Sequence, residues 1–402
     1  MKKSHKIKMG CCVVALLCVT AFGACGHEES EESSALPAME EETKGAEEQD
    51  IDSDQPIQSE SPEEPEYGSE PVIFRFAGDI SLAEEGAPGL YMANMQYLDS
   101  EYNGDLTRCF SENLMELMQS ADIFMLNNEF TYSERGTPVP GKDWTFRATP
   151  GRVEQLVNLG VDLVGLANNH AFDWGEDALL DTMATLDEAG IDRVGAGENL
   201  AEAMEAVYYT LGGRTFAIVA ATAPAVEKPG ASEGGMTRAA TETEPGVLAT
   251  YDPADCLEAI RTAKASSDYV FVYVHWGTEM TTVLDPEQKE LARAYIDAGA
   301  DAVIGNHPHI LQGFEYYQGK PVLYSMGNFW FNSKKRETCL LEFSIDPASL
   351  ETQVRFLPCL QNNFHTSVIT DSSERERMIS EMESISVNVQ IGEDGVVTEV
   401  LR

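Results

Sequence analysis

The stretch Val161-Asp-Leu-Val-Gly-Leu-Ala-Asn-Asn-His170, followed by Ala-Phe-Asp-Trp-Gly175, decides how this chain is read. A short run rich in Val and Leu stops at two amides and an imidazole, and an acidic, helix-like segment resumes at Glu176. A buried parallel strand that delivers polar groups to the open end of a sheet has this form. The pattern recurs at Val72 to Asp79, Asp122 to Glu129, Tyr269 to His275 and Asp301 to His309. Among the seven histidines, His170, His275, His307 and His309 all fall at such ends, whereas His365 does not. A lone histidine is usually structural, but a shared architectural position points to a shared site. Asp, Glu, Asn and His together are donors suited to a divalent metal.

Outward from that stretch the sequence alternates strand and helix. Strands are expected near Val72 to Ala77 and Asp122 to Leu126, and helices near Leu106 to Ser120, Gly151 to Leu159 and Glu176 to Ala189, the last stopped by Gly190. Thr149-Pro150 precedes the second of these helices in the order that helix starts prefer. Strand-like runs follow at Ala206 to Leu211, Thr215 to Ala221 and Tyr269 to Val274, with helices near Pro253 to Ser266 and Pro286 to Ala298. Gln318-Gly-Lys between Gly313 to Tyr317 and Pro321 to Ser325 signals a hairpin, and four later runs read as strands. Residues 222 to 250, rich in Gly, Ala, Thr and Glu without a period, are expected to form a long surface loop over the site. The expectation is one α/β domain, residues 71–402, with a central pair of sheets flanked by helices.

The front of the chain reads differently. Lys2, Lys3, Lys6 and Lys8 precede an apolar run from Met9 to Phe22, the order of a secretory signal, here residues 1–24. That run is too short to span a bilayer as a mature helix. Phe22-Gly-Ala-Cys25 resembles the lipobox of bacterial lipoproteins, which implies a lipidated Cys25 and anchorage at the outer face of the cell membrane; a plainly cleaved signal and a secreted product is the alternative. Residues 26–70 hold 17 Asp or Glu against the single Lys44, a composition that cannot bury enough apolar surface to order itself. Residues 25–70 therefore read as a disordered acidic tether.

The formal net charge of −41 and the lack of a basic stripe argue against nucleic acid as a partner. An anionic ligand needs metal or locally clustered Lys and Arg to draw it in. Cys109, Cys256, Cys339 and Cys359 carry no Cys-x-x-Cys pair and do not form a zinc ligand set; Cys339 and Cys359 are either one disulfide or two buried thiols.

Taken alone, Gly78-Asp79 is equally a bare turn, and Glu129 equally a helix-capping or loop carboxylate. Taken together, Gly78-Asp-Ile, Asn128-Glu129, Ala167-Asn-Asn-His170 with Asp173-Trp-Gly175, His275-Trp-Gly-Thr-Glu279, Gly305-Asn-His-Pro-His309 and Tyr324-Ser-Met-Gly-Asn-Phe329 resemble, in order, the motifs of the CapA capsule-synthesis family. That family is tied to poly-γ-glutamate production, and its resemblance implies a four-layer α-β-β-α sandwich of metallophosphoesterase type. It also implies a paired-metal cradle for one or two divalent ions, Mn, Zn or Fe. Asp79, Glu129 and His309 would hold one ion, and Glu129, Asn169, His275 and His307 the other, with His170 as general acid. Such ions supply Lewis acidity and a water of lowered pKa.

Two positions depart from the metallophosphoesterase pattern. The usual histidine two residues after the first Asp is replaced by Ser81, and Glu129 stands where a bridging Asp is usual. The implied partners are an anionic envelope polymer or γ-glutamyl substrate and a membrane synthase complex. The activity is either metal-dependent hydrolysis or transfer, or non-catalytic polymer binding as a synthase accessory. Arg147 is a candidate for holding a substrate carboxylate or else a surface ion pair, and Glu279 either positions His275 or is a solvated acid.

Overall fold

The computed structural model describes residues 67–85, 92–223, 226–227 and 237–401. The expected signal segment, Cys25 and all of the expected tether before residue 67 lie outside the described residues. Residues 67 and 68, within the last stretch of the expected tether, touch the folded chain: the Gly68 N–H donates to Gly212 O at 3.0 Å, and the Arg214 guanidinium stacks over the Tyr67 ring at 3.8 Å.

Two mixed sheets lie face to face. The larger runs, in spatial order, Val389–Ile391, Val396–Glu399, Thr352–Asn362, Arg336–Ile345, Val72–Ile80, Ile123–Asn128, Leu163–Gly165 and Asp192–Val194. Its last four strands are mutually parallel, and those before them antiparallel. The smaller sheet runs Leu311–Tyr317, Lys320–Met326, Ala302–Asn306, Tyr269–His275, Arg214–Thr222 and Val207–Leu211, parallel at its centre and antiparallel at both edges.

The two-residue period of the strands sorts their side chains. In Tyr269–His275, Tyr269, Phe271 and Tyr273 face the larger sheet, while Val270, Val272 and Val274 face the helices Ala254–Ala265 and Pro286–Ala298. Phe271 lies 4.9 Å from Phe74 and 5.2 Å from Phe76, ring centre to ring centre, and the Tyr273 hydroxyl donates to Ala77 O across the interface. Arg75, one residue out of phase, turns to the opposite face, where the helix Glu112–Gln119 lies and Ser120 Oγ accepts from it. Helices thus cover the outer face of each sheet. Because the strands at the sheet centres are parallel, their carboxyl ends open on the same side, where α/β folds place ligands.

Several expected elements differ in detail. The expected helix over 106–120 is a 3-10 turn, Leu106–Cys109, and then a helix, Glu112–Gln119, since Ser111 breaks in with extended dihedrals. The helices Met92–Tyr102 and Ser372–Ser384, and the strand His365–Val368, carry too few apolar residues at regular spacing to stand out in the sequence. The end of the expected loop is not superficial: Gly246–Val247 pairs with Ala196–Gly197, and Gly246 to Thr250 are buried. Residues 228–236 of that loop lie outside the described residues. Cys339 and Cys359 are free buried thiols. Cys339 pairs in register with Pro358, and Cys359 with Thr338, which places the two sulfurs on opposite faces of the sheet.

Candidate metal centre

Each polar group of the centre stands at or just beyond a strand's carboxyl end. Asp79 closes Val72–Ile80, and Asn127 is in register with it on the adjacent strand. Gly78 has no alternative residue at this point, because a Cβ there would sit 1.8 Å from Gly327 O. Glu129 follows Asn128, Asn169 and His170 follow the Leu163–Gly165 strand, and His275 ends its own. His307 and His309 flank Pro308 with φ of 96° and 59°, left-handed values that cost strain in residues with a Cβ. Such strain persists only where the surroundings impose it, and it concentrates at functional positions.

The groups converge. His275 Nε2 lies 2.7 Å from Asn169 Oδ1, 3.0 Å from His307 Nδ1 and 3.6 Å from Glu129 Oε1. On the other side of Glu129, His309 Nδ1 lies 3.3 Å from Asp79 Oδ2 and 2.8 Å from Asn328 Oδ1. Two sets follow, Glu129 with His275 and His307, and Asp79 with Glu129 and His309; within each, the prospective ligand atoms all lie within 4.8 Å of one another. Glu129 is common to both.

Asp79 and Glu129 are fully buried, yet Asp79 Oδ2 and Glu129 Oε1 have no hydrogen-bond donor. Two inner amides carry the rest of the load: Asn127 Nδ2 donates to Asp79 Oδ1 at 2.7 Å, and Asn168 Nδ2 donates to Asn127 Oδ1 at 3.0 Å. Ser81 is buried with its hydroxyl unpartnered.

Electrostatics show the same tension. Burial, then Asp79, Glu279 and Asp173, push the Glu129 carboxyl well above its ordinary range. Burial and the neighbouring imidazoles hold His275 and His307 well below theirs, so both rings are neutral with lone pairs free to coordinate. For His309 burial works against the charge, but the Asp79 carboxylate outweighs it and the net shift is upward. Buried carboxylates that each keep one oxygen without a donor, beside the neutral imidazoles of His275 and His307, are an arrangement that a divalent cation can satisfy.

His170 is built into a separate unit. Its Nδ1 lies 2.8 Å from Asp173 Oδ2, and its Nε2 lies 3.8 Å from Glu129 Oε1. Asp173 is fixed in turn by the Lys142 ammonium and by the Phe146 N–H at 2.5 Å. Burial, with Lys142 and His309 adding to it against Asp173, lowers His170 to about 4. Sequence reasoning quoted Asp173 within a motif without giving it this role, and passed over Lys142; the three-residue spacing from His170 to Asp173 was the available signal.

Two further expected residues stand outside the ligand sets. The Arg147 guanidinium is held by the Glu85 carboxylate and stacks over Trp174 at 3.5 Å, which is the ion-pair alternative. Glu279 stands exposed at the mouth of the site, while the His275 ring is met by Asn127, Asn169 and His307. That mouth is a cavity of about 230 Å³ bounded by His170, His309, Trp144, Glu279, Lys334 and Arg336, among others.

The chain matches the family described as bacterial capsule synthesis protein PGA_cap over residues 74–333. It is 29% identical over 293 residues to the PGA biosynthesis protein CapA of Bacillus subtilis, with 71% of each chain covered. It is 35% identical over 200 residues to the capsule biosynthesis protein CapA of Bacillus anthracis, covering 48% of this chain and 46% of that one. A probable polyglutamine synthesis accessory protein of Mycobacterium tuberculosis is 34% identical over 215 residues, covering 52% of this chain and 55% of its own. The matched residues 74–333 run from the first strand of the larger sheet past every group of the centre, and on that match the chain belongs to the PGA_cap family of bacterial capsule synthesis proteins.

Proposed function

We propose that this chain is a cell-envelope protein of capsule or poly-γ-glutamate synthesis that binds one or two divalent cations in a metallophosphoesterase-type four-layer sandwich and uses them to hydrolyse or transfer units of an anionic polymer. The observation that carries this reading is the pair of buried ligand sets sharing Glu129, each with a carboxylate oxygen left without a donor. Asp79, Glu129 and His309 would hold one ion, and Glu129, Asn169, His275 and His307 the other. Once bound, the ions supply Lewis acidity and nucleophile activation.

His170 does the proton work. Neutral near pH 7, with Nδ1 committed to Asp173, it first accepts a proton at Nε2 rather than acting as a ready-made acid. Asp173, immobilised by Lys142 and the Phe146 N–H, then steadies the imidazolium until the proton passes to the leaving group. Burial of the surrounding wall, Phe146 at 4.4 Å from His170 included, keeps bulk water from that proton.

The likeness to PGA biosynthesis proteins and to a polyglutamine synthesis accessory protein supports an anionic γ-glutamyl polymer as the ligand and a membrane synthase complex as the partner. Anchorage through Cys25 at the outer face of the membrane fits that setting; among the described residues no helix is long and apolar enough to cross a membrane. Mass analysis of the mature N-terminus checks the anchor. A second reading, a binding accessory without turnover, is favoured by Ser81, which leaves the Asp79 set one ligand short of the usual pattern.

Elemental analysis of chain purified without chelator, together with turnover of γ-linked glutamate polymers and phosphoesters, separates the two. Metal with turnover that falls by roughly 10²–10⁴ in His170→Ala supports catalysis. Metal without any turnover leaves the accessory role. Absence of metal after reconstitution with Mn, Zn and Fe removes both versions of the centre.

A further inference from the structure

Lys334, Lys335 and Arg336 stand together where the chain leaves the Asn328–Trp330 strand and enters Arg336–Ile345, immediately after the family-matched residues. Most arginines of the described residues are spent on carboxylates, as expected in a chain with 68 acidic side chains against 27 Lys and Arg. These three cations have no carboxylate partner among the described residues. Among the described residues, the Arg336 side chain donates to the Lys335 carbonyl oxygen at 3.3 Å and to Met280 Sδ at 4.0 Å, and to no carboxylate.

Their place in the fold gives the surplus a direction. Lys334 and Arg336 border the cavity that holds His170 and His309. Arg336 also borders a second, larger groove of about 470 Å³, with Lys335 beside it and Met378, Met382 and Ile310 along its wall. Arg336 is therefore the partition between the two spaces. The groove also contains Glu337 and Glu381, which share the single Arg377 guanidinium, at 2.5 Å and 2.7 Å, with Glu374. Those acids turn to Arg377 and leave Lys334, Lys335 and Arg336 without ion pairs, so an otherwise acidic protein presents a local track of unpaired cations from the mouth of the centre outward.

We propose that this track is a binding subsite for a polycarboxylate chain: with one unit at the metal centre, Lys334, Lys335 and Arg336 hold the carboxylates of the units that follow as the chain passes Arg336 into the larger groove. The inference rests on the proposed function for the unit at the centre, but the track itself does not depend on metal. It explains how a polyanion is drawn to a protein of the same sign, and it predicts selection for polymer over monomer. The apolar part of the wall, Ile310, Met378 and Met382, suits the methylene groups of a γ-linked backbone between the charges.

The test uses the full chain and a fluorescein-labelled γ-linked glutamate decamer, read by fluorescence anisotropy across a salt series, with free glutamate as competitor. The triple variant Lys334→Ala, Lys335→Ala, Arg336→Ala should bind the decamer about tenfold more weakly with a shallower salt dependence, while its metal content and melting temperature stay at wild-type values. Arg336→Glu alone should weaken binding further than Arg336→Ala. Equal decamer affinity and equal salt dependence in wild type and triple variant overturn the track. A polyphosphate of matched length that outcompetes the decamer on the wild type but not on the triple variant overturns the carboxylate assignment. Loss of metal in His275→Ala with the decamer effect of the triple variant intact separates a working track from a working centre; if wild type holds no metal, the centre fails and the anisotropy result still decides the track.

Discussion

The molecule buries charge in two places and treats it in opposite ways. On the outer face of the larger sheet, the Glu342 carboxylate receives Arg75 Nε at 2.8 Å and Arg355 Nη1 at 3.3 Å, while Arg75 also donates to Ser120 Oγ and the Leu117 carbonyl. Each charged group there meets an opposite charge from the chain itself, the two guanidiniums sharing one carboxylate. At the strand ends, Asp79 and Glu129 are buried as deeply but keep one oxygen each without a donor, and the nearest nitrogens belong mostly to neutral imidazoles. A matched buried pair closes the fold; an unmatched one leaves a position for something that the chain does not supply.

Removing one carboxylate from each place breaks the comparison most directly. Glu342→Ala strands Arg75 in the interior and should lower the unfolding free energy by about 3–5 kcal/mol in chemical denaturation. Glu129→Gln should leave the metal-free protein as stable as wild type or more so, because it removes a carboxylate that burial already disfavours, while metal binding is lost. A loss of several kcal/mol from metal-free Glu129→Gln would show that the centre is structural after all.

Acid sharpens the same contrast. His170, His275 and His307 have depressed folded values, so above the unfolded histidine value of 6.5 they are neutral in both states and cost nothing. Below it the unfolded chain takes up protons that the folded chain refuses, and stability should fall from pH 6.5 downward, the His170 share until about 4. His309 acts oppositely: its raised value contributes stability below the unfolded value, lost as pH rises through the folded one. The raised Glu129 carboxyl also favours the fold as pH falls, so three depressed rings stand against one raised ring and one raised carboxyl, and the net effect expected is acid lability. Metal should deepen it, since coordination requires Glu129 deprotonated and the rings neutral, so affinity measured by calorimetry should rise with pH over the same window. A flat stability profile between pH 6.5 and 4 would contradict the burial of these rings.

The smallest effect is expected at Arg147. With its guanidinium on Glu85 and over Trp174, Arg147→Ala should change turnover or polymer binding less than about twofold and stability by roughly 0.5–1 kcal/mol. A large rise in KM would return it to the substrate.

Much of the centre was legible because a parallel strand advertises itself twice, by its apolar run and by the polar group at its end. Val161 to His170, Tyr269 to His275 and Asp301 to His309 all show this, and the helix Glu176–Ala189 was read to its last residue because Gly190, at φ 74°, takes up the terminal carbonyls. The helix Ser372–Ser384 was not legible, since its polar sequence buries only Met378, Ile379 and Met382 against the sheets. The bond of Lys142 to Asp173 was hidden for a different reason: the two are separated by a loop whose path no local rule predicts.

The sequence by itself therefore determined the alternation of strands and helices, the family, and which carboxylates, amides and imidazoles would stand at strand ends, because periodicity and turn chemistry are local. Tertiary structure alone decided which of those groups lie close enough to share an ion, which arginine is already spent on a neighbour and which cations have no ion pair among the described residues. Those outcomes depend on distances between segments far apart in the chain, and charge composition does not encode distance. The −41 total gave no hint that Lys334, Lys335 and Arg336 would stand beside the centre without an ion pair among the described residues, while the nearby acids Glu337 and Glu381 turn to Arg377, a residue on another element.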